Sequence, residues 1–217
     1  MKIDAIFFDL GRVIVDFDMV RCESILASRS GLKREAFLAV LWNSGWIRRY
    51  ERGELSTEEF HQFLTTTGVL KMEYAEFRRV WSEVFDPVPI LPTAFLSGLA
   101  RRYTMALISN TNEAHVDHIR RNYDVFDCFS HHILSYEVGA LKPGPKIFEA
   151  AIEATGHSRE AVLFIDDREE NVLAGRALGM QVHQFSCSSG LLRVFEAFGI
   201  EFEWPVDDPG EDSNGVR

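Results

Sequence analysis

Short apolar runs alternate with amphipathic segments along most of this chain. Apolar residues at helical spacing separate the later runs, as in the segment from Pro145 to Gly156. A chain that alternates strands and helices in this way predicts a parallel sheet covered on both faces, a doubly wound α/β fold. The predicted strands are Ile3 to Phe8, Thr104 to Ile108, His132 to Leu134, Val162 to Ile165 and Gln181 to Phe185.

The interval from about Asp16 to Asp86 breaks this alternation. Its apolar residues show three helical patterns and no convincing strand, with a capping-box spacing at Ser56 and Glu59. We therefore predict an all-helical cap at residues 16–86, inserted after the first strand of a core formed by residues 1–15 and 87–204. The segment at 205–217 has little to bury and is predicted to be a disordered acidic tail. The three patterns are Phe37, Val40 and Leu41; Phe60, Phe63 and Leu64; and Phe77, Val80, Trp81 and Val84.

Composition and charge exclude several classes of protein. The chain has 217 residues, 46% hydrophobic and 26% charged, as is typical of a folded domain with a satellite. A net charge of -10, with arginine pairs scattered along the chain, argues against a nucleic-acid surface. No N-terminal signal segment and no apolar run of membrane-spanning length is evident. We expect a cytoplasmic monomer or homodimer that binds neither nucleic acid nor membrane.

Polar side chains follow four of the predicted strands, directly or after a short loop. The carboxyl ends of parallel strands meet at one edge of a sheet, so these side chains are expected to lie together. Clustered carboxylates repel one another unless a cation lies among them, and Mg²⁺ prefers a few carboxylates plus phosphate oxygens. The pattern predicts phosphoryl transfer to Asp9. In chain order the side chains are Asp9; Ser109 and Asn110; Lys142; and Asp166 and Asp167.

The segments that carry these residues resemble the four motifs of the haloacid dehalogenase superfamily. They are FFDLG, LISNT, LKPGPKIF and FIDDREEN. The resemblance covers nearly the whole chain, including the helical insertion, which lies where this family has its first type of cap. It implies a Rossmann-like core in which Asp9 is the nucleophile and Ser109 and Lys142 bind the phosphoryl group.

The resemblance also implies a cofactor and a set of site residues. Magnesium would be held by Asp9, by the backbone carbonyl of Gly11 and by Asp166 and Asp167, with Asp167 the surer of that pair. The catalytic residues are predicted to be Asp9 and Lys142. Substrate binding is predicted for Gly11, Arg12, Ser109, Asn110 and Lys142.

Gly11 departs from the pattern of most phosphatases in this superfamily, which have an aspartate two residues after the nucleophile as general acid and base. Loss of such a group costs a factor of roughly 100 to 10,000 in rate. An anomeric hydroxyl is a better leaving group than an ordinary alcohol, so Gly11 favours sugar 1-phosphates or acyl phosphates. Proton transfer from Asp16, Asp18 or His61 stays open.

Within the superfamily, DLGRVIVDFD and YERGELSTEEF are most similar to a bacterial group of sugar-phosphate phosphatases that includes an α-glucose-1-phosphate phosphatase. The main prediction is therefore a magnesium-dependent phosphatase that hydrolyses a small phosphorylated metabolite, a sugar 1-phosphate by preference.

Two other functions fit the sequence. A 2-haloacid dehalogenase uses an aspartate nucleophile without a metal and without the second aspartate. The adjacent Asp166 and Asp167 favour the phosphatase, because paired acids would repel an anionic substrate unless a cation lay between them. A non-catalytic protein that binds phosphorylated ligands is the third alternative.

Overall fold

Five parallel strands form a single sheet in the computed structural model, which describes residues 2–205. The order across the sheet is β3-β2-β1-β4-β5. The chain adds β2 and β3 on one side of β1 and then crosses over to add β4 and β5 on the other side. All five predicted strands are confirmed, each to within two residues of its predicted bounds. The strands are β1 Ala5–Phe8, β2 Thr104–Ser109, β3 His131–Leu134, β4 Val162–Asp166 and β5 Gln181–Gln184.

Helices occupy most of the remaining described chain. Six α-helices lie between β1 and β2, and the others connect or follow the later strands. Two short 3₁₀ helices lie at Asp124–Cys128 and Arg159–Ala161. The α-helices are α1 Met19–Ser28, α2 Arg34–Asn43, α3 Trp46–Glu51, α4 Thr57–Thr66, α5 Tyr74–Ser82, α6 Thr93–Ala100, α7 Glu113–Asn122, α8 Ser135–Val138, α9 Pro145–Thr155, α10 Glu169–Ala177 and α11 Ser188–Phe198.

Both faces of the sheet are buried. In β1, Ile6 and Phe8 pack in the apolar cluster that contains α6, α7 and α11, whereas Ala5 and Phe7 pack against α9 and α10. All four side chains are fully buried, which explains why this strand is a continuous apolar run rather than an alternating one. The doubly wound arrangement predicted from the sequence is therefore present.

Helices α1 to α5 have an apolar core of their own, which includes Phe37, Phe60 and Phe77. The three predicted helical patterns correspond to α2, α4 and α5, and the Ser56–Glu59 capping box is formed. Helices α1 and α3 were not predicted. Gly45, at φ +81, separates α3 from α2, and the six residues of α3 are too few to show a clear period.

The division into a core and a cap at residues 15/16 and 86/87 stays a prediction. The predicted acidic tail at 205–217 lies outside the described residues apart from Pro205. Within residues 2–205, none of the helices combines the length and the apolar character that crossing a bilayer requires. In a doubly wound sheet, ligands bind beyond the carboxyl ends of the strands, here beside β1 and β4.

Candidate active site

A cavity of about 290 Å³ lies at the carboxyl ends of β1, β2 and β4, beneath the inserted helices. It contains all but one of the residues that the sequence predicts for the site. Asp166 is the exception, because it is fully buried behind Lys142. The roles of these residues stay predictions, although the structure brings all of them together. Those lining the cavity are Asp9, Gly11, Arg12, Ser109, Asn110, Lys142 and Asp167.

Lys142 joins two carboxylates at the floor of the cavity. Its Nζ lies 2.9 Å from Oδ1 of Asp9 and 2.6 Å from Oδ2 of Asp166. Burial favours the neutral amine, but the two carboxylates outweigh it and raise the pKa of Lys142 above its usual value. The ammonium is therefore a permanent positive charge at this position.

Asp9 has one carboxylate oxygen engaged and one free. Oδ1 accepts hydrogen bonds from the backbone N–H of Leu10, at 2.7 Å, and from Lys142. Within residues 2–205, no group donates to Oδ2. Burial raises the pKa of Asp9 to about 7. The Lys142 ammonium lowers this pKa, whereas the negative charge of Asp166 raises it further. Oδ2 is thus the oxygen available for a substrate or a cation.

Asp166 and Asp167 have different surroundings. Oδ1 of Asp166 accepts from the backbone N–H of Arg168 at 2.9 Å, and both oxygens accept from Nδ2 of Asn171, at 2.9 and 3.1 Å. Asp167 is partly exposed and lines the cavity. Burial and the Asp166 charge raise the pKa of Asp167. The Asp166 carboxylate is therefore fully engaged by Lys142, Arg168 and Asn171, and Asp167 has the freer carboxylate.

Three carboxylates meet closely enough to hold a metal ion. Ligand oxygens of Asp9, Asp166 and Asp167 lie within 4.8 Å of one another. A hard cation with oxygen ligands fits this set, and the cluster holds an excess of negative charge over the single ammonium of Lys142. The donor chemistry of these residues therefore fits Mg²⁺.

Ser109 and Asn110 follow β2 but differ in how their side chains are used. The Ser109 hydroxyl forms no hydrogen bond within the described chain and faces the cavity. The Asn110 side chain is bound to the backbone of Lys142: Nδ2 donates to its carbonyl at 2.9 Å, and Oδ1 accepts from its N–H at 2.8 Å. Asn110 thus positions Lys142, a role that the sequence did not indicate.

A phenyl ring occupies the place of the missing aspartate. A Cβ atom on Gly11 would lie 2.7 Å from Cε1 of Phe17. The guanidinium of Arg12 covers the same ring at 4.7 Å and is held by Asp16 at 3.0 Å. An acidic side chain at position 11 would therefore have to displace the Phe17 ring.

The part of the cavity wall formed by the inserted helices and their flanking loops is mostly apolar. Glu51, at the end of α3, is the one carboxylate that α1–α5 contribute to the described lining. Its backbone carbonyl accepts from Oγ of Ser135 at 2.6 Å, but no partner for its carboxylate is found within residues 2–205. The apolar side chains of this wall are Phe17, Met19, Trp42, Ile47, Trp81, Val84 and Phe85.

The sequence did not single out Glu51, and the proton donors it suggested lie elsewhere. His61 bonds through Nε2 to the carbonyl of Met72. Asp18 caps α1 by accepting from the N–H of Arg21. Asp16 pairs with Arg12 outside the cavity lining. The spacing of apolar residues could not reveal Glu51, because a six-residue helix gives no reliable face.

A groove of about 380 Å³ lies between α5 and α7 but contains none of the predicted site residues. Its Arg78 is paired with Asp117 at 2.6 Å, so this charge is already balanced. The smaller cavity beside β1 and β4 is therefore the candidate active site.

Known proteins resemble this chain over most of its length. The model of the family "haloacid dehalogenase-like hydrolase" matches residues 3–179. The D-ribitol-5-phosphate phosphatase of Bacteroides thetaiotaomicron is 27% identical over 185 residues, which cover 82% of this chain and 90% of that protein. The (S)-2-haloacid dehalogenase of Pseudomonas sp. strain YL is 24% identical over 213 residues, which cover 94% and 90%.

A solved structure is also similar. It is the HAD family enzyme bt-2542 from Bacteroides thetaiotaomicron, in complex with magnesium and inorganic phosphate. Its TM-score is 0.77 at 26% identity, over 86% of this chain and 96% of that one. The likeness extends over most of the described sheet and helices.

Proposed function

The chain belongs to the haloacid dehalogenase-like hydrolases, and we propose that it is a magnesium-dependent phosphatase that forms an aspartyl-phosphate on Asp9. The family resemblance and the α/β fold class are confirmed. The similarity to a phosphatase and to a structure with bound magnesium and phosphate supports hydrolysis of phosphoric monoesters. One observation carries the proposed mechanism. The buried carboxylate of Asp9 is fixed through Oδ1 while Oδ2 stays free, next to the permanent charge of Lys142.

The proposed reaction has two displacements at phosphorus. Oδ2 of Asp9 forms a bond to phosphorus while the bond to the leaving oxygen breaks, and the alcohol departs with a proton. Water then attacks the aspartyl-phosphate, releasing phosphate and restoring Asp9. The ammonium of Lys142 and the hydroxyl of Ser109 would bind the phosphoryl oxygens, on which negative charge accumulates.

Magnesium fits the same site. Asp9 and Asp167 would hold it, together with the backbone carbonyl of Gly11, and Asp166 would contribute mainly through Lys142. When bound, the ion neutralises the charge of the phosphoryl oxygens and so allows a carboxylate to approach them. The magnesium and phosphate found in the bt-2542 complex support this assignment.

Removal of the metal tests the proposal. We expect chelation with EDTA to lower phosphate release from p-nitrophenyl phosphate by at least about 100-fold, because the repulsion between Asp9, Asp167 and the phosphoryl group is no longer neutralised. Added Mg²⁺ should restore the rate, and added Ca²⁺ should restore it poorly, because Ca²⁺ prefers more ligands at longer distances. Turnover that persists after chelation would contradict magnesium dependence.

The second candidate is a 2-haloacid dehalogenase, which the similarity to the Pseudomonas enzyme favours. The crowding of Asp167 against Asp9 and Asp166 argues against it, because a carboxylate substrate would meet three acids. Chloride or bromide release from a 2-haloacid in the presence of EDTA, without phosphatase activity, would establish this alternative instead.

The proposal extends to the substrate, a sugar phosphate with 1-phosphates favoured. Gly11 provides no aspartate at the usual position beside the leaving oxygen, and the Phe17 ring fills that place. An anomeric oxygen carries negative charge more readily than an ordinary alkoxide, so it depends less on protonation. The D-ribitol-5-phosphate phosphatase resembles this chain, although its named substrate is an ester of a primary alcohol.

A metabolite screen tests this preference. We expect kcat/KM for glucose 1-phosphate to exceed that for glucose 6-phosphate by about tenfold or more. Both esters contain the same sugar, so the comparison isolates the leaving oxygen and its position. A primary-alcohol ester turned over faster than every 1-phosphate would contradict the preference and leave the phosphatase activity intact.

The remaining predictions are the cytoplasmic location, the lack of nucleic-acid and membrane partners, and the monomeric or homodimeric state. They stay predictions, as does the relation to the group that includes an α-glucose-1-phosphate phosphatase.

A further inference from the structure

We propose that Glu51, at the end of α3, is the general acid and base of this enzyme, in place of the aspartate that is missing at Gly11. The inference rests on the proposed phosphatase function. It assigns the proton transfer to a residue of the inserted helices, whereas Asp9 directly follows β1 and Lys142 lies in the loop between α8 and α9.

Glu51 lines the same cavity as Asp9, on the part of the wall formed by the inserted helices. Both residues line the 290 Å³ space, which is small enough that a bound phosphate ester would contact both walls. Among the described residues, Glu51 is the one lining carboxylate that is neither in the Asp9, Asp166 and Asp167 cluster nor adjacent to it. In an in-line displacement the leaving oxygen emerges on the side of phosphorus away from the nucleophile, so the proton donor must come from a part of the cavity other than the Asp9 cluster.

The backbone around Glu51 is fixed to the core. Its carbonyl accepts from Ser135, and the hydroxyl of the preceding Tyr50 donates to Oδ1 of Asn112 at 3.1 Å. Gly53 has φ +68, and a Cβ atom there would lie 2.0 Å from the carbonyl oxygen of Tyr136. Only glycine permits this close approach. Glu51 is therefore held at a defined position over the site.

The environment of Glu51 suits proton transfer near neutral pH. Burial raises the pKa of Glu51 to about 7, although the facing charges of Arg168 and Arg48 lower it. Its carboxylate has no hydrogen-bond partner within the described chain, so it is free to bond to a substrate. A general acid is most effective when its pKa lies near the working pH.

His115 is the one imidazole among the described lining residues, and it is unsuitable as a proton donor. His115 lines the cavity, but its Nε2 bonds to the carbonyl of Trp81 at 2.8 Å and its Nδ1 to Nδ2 of Asn112 at 3.1 Å. Burial lowers the pKa of His115 to about 4, so the ring is neutral and both of its nitrogens are occupied. Glu51 is left as the proton donor.

The proposed proton transfers balance over the cycle. Protonated Glu51 donates its proton to the leaving oxygen as the bond from phosphorus to that oxygen breaks, which leaves the Glu51 carboxylate. In the second displacement the carboxylate takes a proton from the water that attacks the aspartyl-phosphate. Phosphate departs, and both Asp9 and protonated Glu51 are restored.

A matched pair of substrates tests this role. Benzyl phosphate and p-nitrophenyl phosphate have similar aromatic groups, which suit the apolar wall, but benzyl alcoholate needs a proton to leave and p-nitrophenolate does not. We expect Glu51→Gln to lower kcat/KM for benzyl phosphate by about 100-fold and for p-nitrophenyl phosphate by less than about threefold. Glu58→Gln, an exposed glutamate on α4, is the control and should change neither value.

The ratio of kcat/KM for benzyl phosphate to kcat/KM for p-nitrophenyl phosphate decides the outcome, because this ratio does not depend on the fraction of folded protein. An unchanged ratio in Glu51→Gln, whether both rates fall equally or neither falls, overturns the proposal. With benzyl phosphate, the activity of the wild type should fall at alkaline pH as Glu51 loses its proton, and this alkaline fall should be absent in Glu51→Gln. Wild-type protein that releases no phosphate from either ester with Mg²⁺ would instead overturn the proposed phosphatase function.

Discussion

Asp9→Asn is expected to abolish phosphatase turnover, with kcat falling by about 10⁴-fold or more. The asparagine side chain is nearly isosteric but is not a nucleophile, and no other described carboxylate combines a free oxygen with contact to Lys142. Phosphate release from p-nitrophenyl phosphate measures the rate. Acid quenching followed by mass spectrometry should detect one phosphoryl group on the wild-type peptide that contains residue 9, and none on the variant.

Asp4→Asn is the matched control for this variant. Asp4 lies just before the start of the same strand, is partly exposed and pairs with Lys2 at the surface, so the same chemical change there should leave turnover unchanged. Thermal unfolding of Asp9→Asn should show a folded protein, since Lys142 keeps its contact with Asp166. Undiminished hydrolysis by Asp9→Asn would mean that the reaction uses another nucleophile.

Lys142→Met is expected to lower both activity and stability. Removal of a charge that stabilises the transition state should reduce kcat/KM by about 10³-fold. The substitution also leaves Asp9 and Asp166 buried side by side without their shared cation, and breaking such a buried ion pair costs about 3–5 kcal/mol. Urea unfolding in EDTA measures this loss without interference from a bound metal ion.

A second variant separates the two effects of Lys142. In Asp9→Asn/Lys142→Met one of the two unpaired charges is gone, so we expect the free energy of unfolding to recover in part while turnover stays absent. Lys146→Met, an exposed lysine four residues later, should change neither quantity. Full activity in Lys142→Met would show that the ammonium does not bind the phosphoryl group.

The site could be predicted because its residues follow strands. A buried parallel strand is a continuous apolar run, so the ends of β1, β2 and β4 are visible in the sequence, and Asp9, Ser109 and Asp166 come at those ends. The order of the strands is not needed to predict that these side chains lie together, because the carboxyl ends of all strands in a parallel sheet lie at the same edge. Lys142 follows β3 after a short loop, and its motif resembles the third motif of the superfamily.

The helical insertion was predicted less completely. Amphipathic spacing revealed α2, α4 and α5 because each buries one face in the apolar cluster of the inserted helices. Helix α3 is too short to show a period and is set apart by the left-handed Gly45. For this reason neither α3 nor the position of Glu51 could be read from the pattern.

The sequence by itself determined the parallel α/β fold, the helical insertion and the set of side chains at the strand ends, because these depend on local apolar periodicity and on the geometry common to parallel sheets. Only the tertiary structure decided how those side chains are used. It placed Asn110 on the backbone of Lys142 and the Phe17 ring against Gly11. It also turned Glu51 toward the cavity. Each of these arrangements joins segments far apart in the chain or depends on how the loops and inserted helices pack, and no local pattern of residues encodes such contacts.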